Sequence, residues 1–391
     1  MPVPSIKDLK LAGKRVLVRC DFNVPLAEGR ISDPGRIDAS LDTIRYIIEQ
    51  KGIAVLCSHL GRPKERTPGL SLKPVAEYLG EVLGRKVALA PDCIGDVTGR
   101  MIADLKPGDV ILLENLRFHP EEEKNDRDFS HELGRGKQAY VNDAFGTAHR
   151  AHASTAGVTA FISERAAGFL MMRELDALRA VTENPRRPAI AIMGGAKVSD
   201  KIGVIRNLIT KVDAILIGGA MAYTFLKAQG AVIGRSRVEE DKLDLARELM
   251  AEAERKGVKI VLPCDHVVAS APEPGAFTRT VTDIPGDLMG LDIGPATVEL
   301  FKAELARAKT VIWNGPLGFF EVPEFAQGTL AVGEALANLE GVTSIIGGGD
   351  TAAAVAHRPW ASRFTHISTG GGATLEFLEG RELPGVKALQ C

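Results

Sequence analysis

The sequence predicts an α/β protein built on parallel sheets, and three observations carry the prediction. Short apolar runs rich in Val, Ile and Leu recur along the chain with little polar alternation, as in strands buried on both faces beneath helices. Between them lie segments with apolar residues at helical spacing that end near glycine, such as "DASLDTIRYIIEQ" (38–50) and "KLDLARELMAEAERKG" (242–257). The runs themselves close on glycine or on polar side chains, at the strand ends where open parallel sheets hold their ligands.

In chain order the first half offers "RVLVRCDFN" (15–23), "GIAVLCSHLG" (52–61), "KVALAPD" (86–92), "DVILLENLRF" (109–118) and "QAYVNDAF" (138–145). The second half offers "PAIAIMGG" (188–195), "DAILIGG" (213–219), "KIVLPCD" (259–265), "TVIWNGP" (310–316), "TSIIGGGD" (343–350) and "THISTGGG" (365–372). Eleven such strands exceed one comfortable sheet, so the chain divides. One helix from about 170 to 183, stopped by "NPRRP", stands between the halves. The expectation is two Rossmann-like three-layer lobes, 1–170 and 188–375, with parallel sheets joined by a hinge helix within 171–187.

Composition narrows the function. The chain has 391 residues, 45% hydrophobic and 25% charged, with a formal net charge of −2. No excess of positive charge points to nucleic acid or an anionic membrane, so any anion site must be built locally. The longest apolar run, 214–226, is too short and glycine-rich to span a bilayer. The N-terminus lacks the basic and apolar regions of a secretory signal. Cys20, Cys57, Cys93, Cys264 and Cys391 are scattered without C-x-x-C pairs, which fits a reducing cytoplasm. The charged run "PEEEKNDRD" (120–128) reads as a solvated loop.

The two halves differ in their strand ends. In the second half they are glycine: Gly194-Gly195, Gly218-Gly219, Gly315 after Asn314, Gly347 to Gly349 before Asp350, and Gly370 to Gly372. Bared amides at the start of a helix suit phosphate. One glycine pair would be no more than a tight turn, but five clusters at corresponding positions read as a nucleotide site. Lys197 and Lys201 are expected at i and i+4 on one helix face beside that phosphate. Asp350 is either a helix cap or the carboxylate that a phosphate-bound Mg²⁺ needs.

In the first half the strand ends and loops carry donors: Asp21, Asn23, Arg36, His59, Arg62, Arg117 and Arg150. Four arginines and a histidine so placed are expected to converge on a small polyanion, since the guanidinium fork suits carboxylate and phosphate alike. His149-x-x-His152 has no nearby Cys or acid in sequence, so no metal pair is read there. Phosphoryl transfer between a nucleotide and a small acid fits both halves.

These motifs resemble the phosphoglycerate kinase family nearly end to end. "VRCDFNVP" (18–25), "SHLGRP" (58–63), "LLENLRF" (112–118), "VNDAFGTAHRAHAS" (141–154), "GGAKVSDKI" (194–202), "LDIGP" (291–295), "WNGPLGFFE" (313–321), "GGGDT" (347–351) and "STGGGATLEFLEG" (368–380) stand in family order. The resemblance implies a monomeric, cytoplasmic, hinge-bending glycolytic enzyme that exchanges phosphate between 1,3-bisphosphoglycerate with ADP and 3-phosphoglycerate with ATP, using Mg²⁺. It implies that Asp21, Asn23, Arg36, His59, Arg62, Arg117 and Arg150 hold the glycerate. It places Lys201, Gly290, Asn314, Pro316, Glu321 and Gly347, Gly348, Gly349, Asp350 and Thr351 on the nucleotide side, with Gly195 and Gly219 beside the adenosine, Glu321 at the ribose and Asp350 at the metal. Lys197, Arg36 and the amides at Gly371 and Gly372 are implied at the moving phosphoryl group. The tail 376–391 is implied to pack back on the first lobe. Phe319 stands where the family often has Val, and Cys20 likewise, while Ala220 replaces a common Gly.

Two rival classes leave weaker signatures. "GGGDTA" (347–352) satisfies G-x-G-x-x-A, but the next strand ends in Ser368-Thr369-Gly370 without the acid a nicotinamide site needs. A two-lobed solute-binding protein would carry an export signal, which the sequence does not show.

Overall fold

The computed structural model describes residues 2–390, so Cys391 at the end of the tail lies outside the described residues. Two units emerge, one formed by the chain up to Leu175 with the stretch from Glu382 onward, the other by Asp176–Arg381.

The first unit holds a six-stranded sheet in the spatial order Val87–Leu89, Val110–Leu112, Ile53–Cys57, Arg15–Arg19, Ala139–Asn142 and Glu164–Ala167. Every pairing is parallel. The central strand Ile53–Cys57 is buried throughout, which is why its run is apolar without alternation. Arg19 lies level with Cys57 on one side and Asn142 on the other. Asp21, His59 and Asp143, the residues just beyond, therefore leave the sheet at the same edge.

The run 109–118 is strand only to Leu112 and turns into a 3₁₀ segment at Leu116–Phe118. Asn115 causes the break. Its side-chain oxygen accepts from the Leu60 and Arg117 amides at 3.2 and 3.1 Å, and its Nδ2 donates to Leu60 and Leu70 carbonyls. A side chain that satisfies local backbone in this way replaces the ladder. Glu164–Ala167, "ERAA", escaped the sequence reading because its first half is exposed and polar.

The second sheet runs Lys259–Val261, Ala214–Ile217, Ala189–Met193, Thr310–Asn314, Thr343–Gly347 and His366–Ile367, also parallel. In sequence order this is 3-2-1-4-5-6, the doubly wound arrangement whose ligand crevice opens between strands 1 and 4. Here those are Ala189–Met193 and Thr310–Asn314, with Asn314 level with Met193. A small antiparallel sheet of Arg279–Val281, His266–Ala269 and Met289–Ile293 adjoins it. The sequence reading missed it, since its strands are short and partly exposed.

The helix expected at 170–183 runs Phe169–Thr182. Asp143 Oδ1 accepts from the Leu170 and Met171 amides at 2.9 and 3.2 Å, and Thr43 Oγ1 accepts from Phe169 at 2.9 Å, so its first turn is satisfied by side chains. The C-terminal stretch joins the first unit from Glu382, not from about 376. The helix Gly372–Leu378 stays with the second unit, where Asn207 Nδ2 donates to the Leu378 carbonyl at 2.7 Å. Beyond it, the Gly385 amide donates to Ala148 at 2.8 Å.

Candidate functional site

In the first unit the side chains at the sheet edge form a basic cluster. Arg36 Nη1 reaches Asp21 Oδ2 at 3.0 Å. Asn23 Oδ1 accepts from the Gly61 amide at 2.8 Å, and Arg117 Nη1 donates to the Gly61 carbonyl at 2.7 Å. The loop carrying His59 and Arg62 is thereby pinned from both sides. Arg150 donates to His149 at 3.1 Å, and Arg62 is exposed.

Electrostatics shows that these groups share one place. Burial chiefly, and then Arg19, Arg117, Arg36 and His152, hold His59 well below its ordinary pKa. Burial likewise lowers Arg117, and Arg150, Arg19 and Arg62 press in the same direction. His152 is brought down to about 4 by burial, with Arg19, Arg117 and Arg150 contributing. Every arginine of the sequence reading thus either acts on His59 or Arg117 or is one of them, and an anion among them would relieve the crowding of positive charge.

Beside the basic cluster lies a buried polar network that the sequence does not announce. Arg19 is 1% exposed, donates to Ser154 at 2.8 Å and lies 3.1 Å from His59 Nδ1. Glu122, within the run read as a solvated loop, is also 1% exposed. It accepts from the Ser154 amide at 2.9 Å and hydroxyl at 2.5 Å, and His152 Nδ1 stands 3.9 Å away. The signal was present in "RVLVRCD": an arginine inside a buried strand needs an acid and acceptors of its own.

In the second unit a cleft of about 400 Å³ opens where the strand order reverses. Of the expected residues it is lined by Gly195, Gly219, Gly290, Pro316, Glu321 and Asp350. Glycine is required at two of these, at Gly219 by backbone and space and at Gly195 by backbone alone. Gly219 has φ +66°, and a Cβ there would meet Gly195 N at 2.6 Å; Gly195 has φ +104°. Gly290 is small for a different reason, since a Cβ would fall 1.9 Å from the buried Tyr223 hydroxyl. Arg237, Pro272, Met289 and Leu291 also line the cleft. They come from the loop and antiparallel sheet that the parallel pattern does not reveal. Phe319 is 39% exposed on the same wall.

The paired-lysine expectation is corrected. The helix begins only at Ile202, so Lys197 and Lys201 both belong to the turn before it. Val198 is buried, and Ser199 is held by Glu239 through its amide at 3.0 Å and its hydroxyl at 2.6 Å; these anchors delay the helix. The two lysines differ as a result. Lys197 is exposed. Lys201 donates to the Asn314 side-chain oxygen, and burial draws its pKa down to about 8 against opposing pulls from Asp200, Asp350 and Glu379.

Asn314 Nδ2 is buried without a hydrogen-bond partner, and a Cβ on Gly348 would come 3.0 Å from it. A spare donor thus faces the turn Gly347–Gly348–Gly349. Thr351 is spent on structure, its hydroxyl accepting from the Gly315 amide at 2.6 Å. Gly371 has φ +51° and Gly372 starts the helix Gly372–Leu378. Asp350 is exposed in the cleft wall within the field of Lys201. A single carboxylate beside a phosphate cradle fits Mg²⁺, which binds through one or two carboxylates plus substrate phosphates and keeps several waters.

Comparison with known proteins identifies the family. The family model described as phosphoglycerate kinase matches residues 6–381. A phosphoglycerate kinase of Koribacter versatilis is 55% identical, over 98% of this chain and 98% of its own length. One from Anaeromyxobacter dehalogenans is 54% identical over the whole of both chains. Among solved structures, the phosphoglycerate kinase of Coxiella burnetii superposes with a TM-score of 0.92 at 41% identity, covering 100% of this chain and 99% of that one. That of Pyrococcus horikoshii gives 0.85 at 33%, covering 99% and 98%. Matched along nearly its full length, the chain belongs to the phosphoglycerate kinase family.

Proposed function

We propose that this chain divides the family's reaction between its two units, with the acid on the basic cluster and the nucleotide in the glycine-lined cleft. The reaction is that of a glycolytic phosphotransferase acting at a carboxyl group: 1,3-bisphosphoglycerate and ADP give 3-phosphoglycerate and ATP, reversibly. The observation that carries the division is the basic cluster at the first sheet's edge, where Arg19, Arg36 and Arg117 all act on His59.

On this reading Arg62, Arg117, Arg150 and His59 neutralise the phosphate and carboxylate of the glycerate. Asp21 and Asn23 serve its hydroxyl while orienting Arg36 and the Gly61 loop. In the second unit Gly195, Gly219, Gly290 and Pro316 leave room for the adenosine, and Glu321 accepts from the ribose. Lys201, Asn314 and the turn Gly347–Thr351 receive the phosphates. Mg²⁺, when bound at Asp350, would draw negative charge from the phosphate oxygens.

The chemistry asks little else of the protein. A carboxylate is already ionised at neutral pH, so attack on the ATP γ-phosphorus needs no general base. The bond to the ADP leaving oxygen breaks as the acyl-phosphate bond forms. Charge spread over the transferring group is the demand to be met, and we assign it to Arg36, Lys197 and the Gly371 and Gly372 amides. The ligands must meet, which a hinge at the helix Phe169–Thr182 would provide while excluding water.

A monomeric, cytoplasmic enzyme belongs to the same proposal. No helix among the described residues is long and apolar enough to cross a membrane. A coupled assay with 3-phosphoglycerate, ATP and Mg²⁺, each omitted in turn, tests the reading. Turnover that persists without the acid or the metal would refute it.

A further inference from the structure

A second cluster of chemistry-bearing side chains stands apart from the residues assigned above. Asp92, Cys93 and His119 each present a ligand atom, and these atoms all lie within 4.8 Å of one another. The geometry points to a binding site for one borderline-soft divalent cation, of the Zn²⁺ type, held by the Asp92 carboxylate, the Cys93 thiolate and the His119 imidazole.

The donors are held in place before any ion arrives. The Asp92 carboxylate folds back on its own loop, Oδ1 accepting from the Cys93 amide at 2.6 Å. Thr98 Oγ1 donates to the Asp92 carbonyl at 3.0 Å and secures the backbone. The His119 ring packs on the Phe129 ring with centroids 5.3 Å apart, and its Nε2 stands 2.7 Å from Asp92 Oδ1. Cys93 is fully buried, whereas the Asp92 and His119 side chains are 32% and 24% exposed. The thiol forms the floor and the other two open to solvent, which leaves an entry path.

Nitrogen, sulfur and oxygen donors in one cluster are the set Zn²⁺ takes, at about 2.0–2.3 Å in tetrahedral geometry. Such ligand atoms stand roughly 3.3–3.7 Å apart, so the Asp92–His119 contact widens slightly and the longest separation contracts. The ion takes the place of the proton now shared between Nε2 and Oδ1. His119 binds as the neutral Nδ1–H tautomer, so a neutral ring passes that proton to Nδ1 and a protonated ring gives it to solvent; the Cys93 thiol proton is lost to solvent, and a water fills the fourth position. Thiolate and carboxylate together neutralise the two charges of the ion, while Arg66 stays on the other Asp92 oxygen at 3.3 Å.

The test uses the full chain carrying Cys264→Ser and Cys391→Ser, so that neither of these thiols can answer for the site. Titration with Co²⁺ is expected to saturate at one equivalent with a thiolate-to-cobalt charge-transfer band and d–d bands of tetrahedral intensity, both lost when Zn²⁺ is added. Cys93→Ser should abolish the charge-transfer band. His119→Gln, which leaves the buried sulfur untouched, should weaken cobalt binding at least about tenfold; it decides the matter if Cys93→Ser does not fold by circular dichroism. Absence of the band, or its survival in folded Cys93→Ser, or unchanged affinity in His119→Gln, overturns the assignment.

Discussion

Arg36 donates through Nη1 to the Asp21 carboxylate across 3.0 Å, tying the short helix Gly35–Ala39 to the end of the strand Arg15–Arg19. With the Arg36 side chain 43% exposed, the pair adds little to folding. Its value is to aim a guanidinium. Arg36→Ala is therefore expected to lower kcat by roughly 10³-fold or more, as for other arginines that meet a transferring phosphoryl group, with Tm and the nucleotide KM nearly unchanged. Arg36→Lys should recover only part of the rate, because an ammonium cannot reproduce the fork. Steady-state kinetics in the direction of ATP consumption checks both.

Lys201 carries a pH signature. Burial lowers its pKa to about 8 in the free protein, with Asp200, Asp350 and Glu379 pulling the other way. Nucleotide phosphates favour the charged form, so binding raises this pKa. ADP binding near pH 8.5 should take up a fraction of a proton, and affinity should fall as pH rises through about 8. Calorimetry in buffers of different ionisation enthalpy measures the uptake, and Lys201→Met should abolish it.

Much of this was legible in the chain, and the failures have physical causes. Strands buried on both faces, such as Ile53–Cys57 and Ala189–Met193, read as unbroken apolar runs. The glycines that follow the second-half strands read as ligand contacts, and two of them, Gly195 and Gly219, adopt backbone angles few other residues reach. Half-exposed strands such as Arg279–Val281 gave no such pattern, and with them the cleft residues Met289 and Leu291 were lost. Lys197 and Lys201 were misplaced because spacing cannot say where a helix starts; burial of Val198 and the Ser199–Glu239 bonds decided that. Glu122 was taken for a solvated residue because its partners, Arg19 and Ser154, are remote in sequence.

Gly219 tests the cleft's dependence on absent side chains. At φ +66° an added Cβ would be strained, and it would press on the Gly195 amide nitrogen at 2.6 Å. Gly219→Ala should cost about 1–3 kcal/mol of stability and weaken ADP binding, leaving 3-phosphoglycerate binding unaltered. Thermal unfolding and separate titrations of the two ligands distinguish a local effect from general damage.

Asp143 gives a stability prediction with a definite sign. Burial raises its pKa to about 7, against hydrogen bonds from Thr43, Met171 and Leu170 and the charge of Arg173, all of which pull it down. The folded state thus holds a proton that the unfolded chain loses near the ordinary carboxyl value. Stability from this group is complete below about 4 and is lost as pH rises through about 7. Asp292, raised to about 7 by burial, acts in the same sense. Asp143→Asn keeps an acceptor for Leu170 and Met171 and should flatten the fall in Tm between pH 5 and 8. An unchanged slope would contradict the assignment.

Amide hydrogen exchange with each ligand alone tests the division of labour most directly. Added 3-phosphoglycerate should slow exchange around Asp21–Asn23, His59–Arg62, Arg117 and Arg150, leaving the second unit unaffected. Added ADP with Mg²⁺ should slow it around Gly195–Lys201, Gly219, Gly290 and Asn314–Glu321. Protection of the same segments by both ligands, or protection of the glycine-lined cleft by the acid alone, would contradict the account.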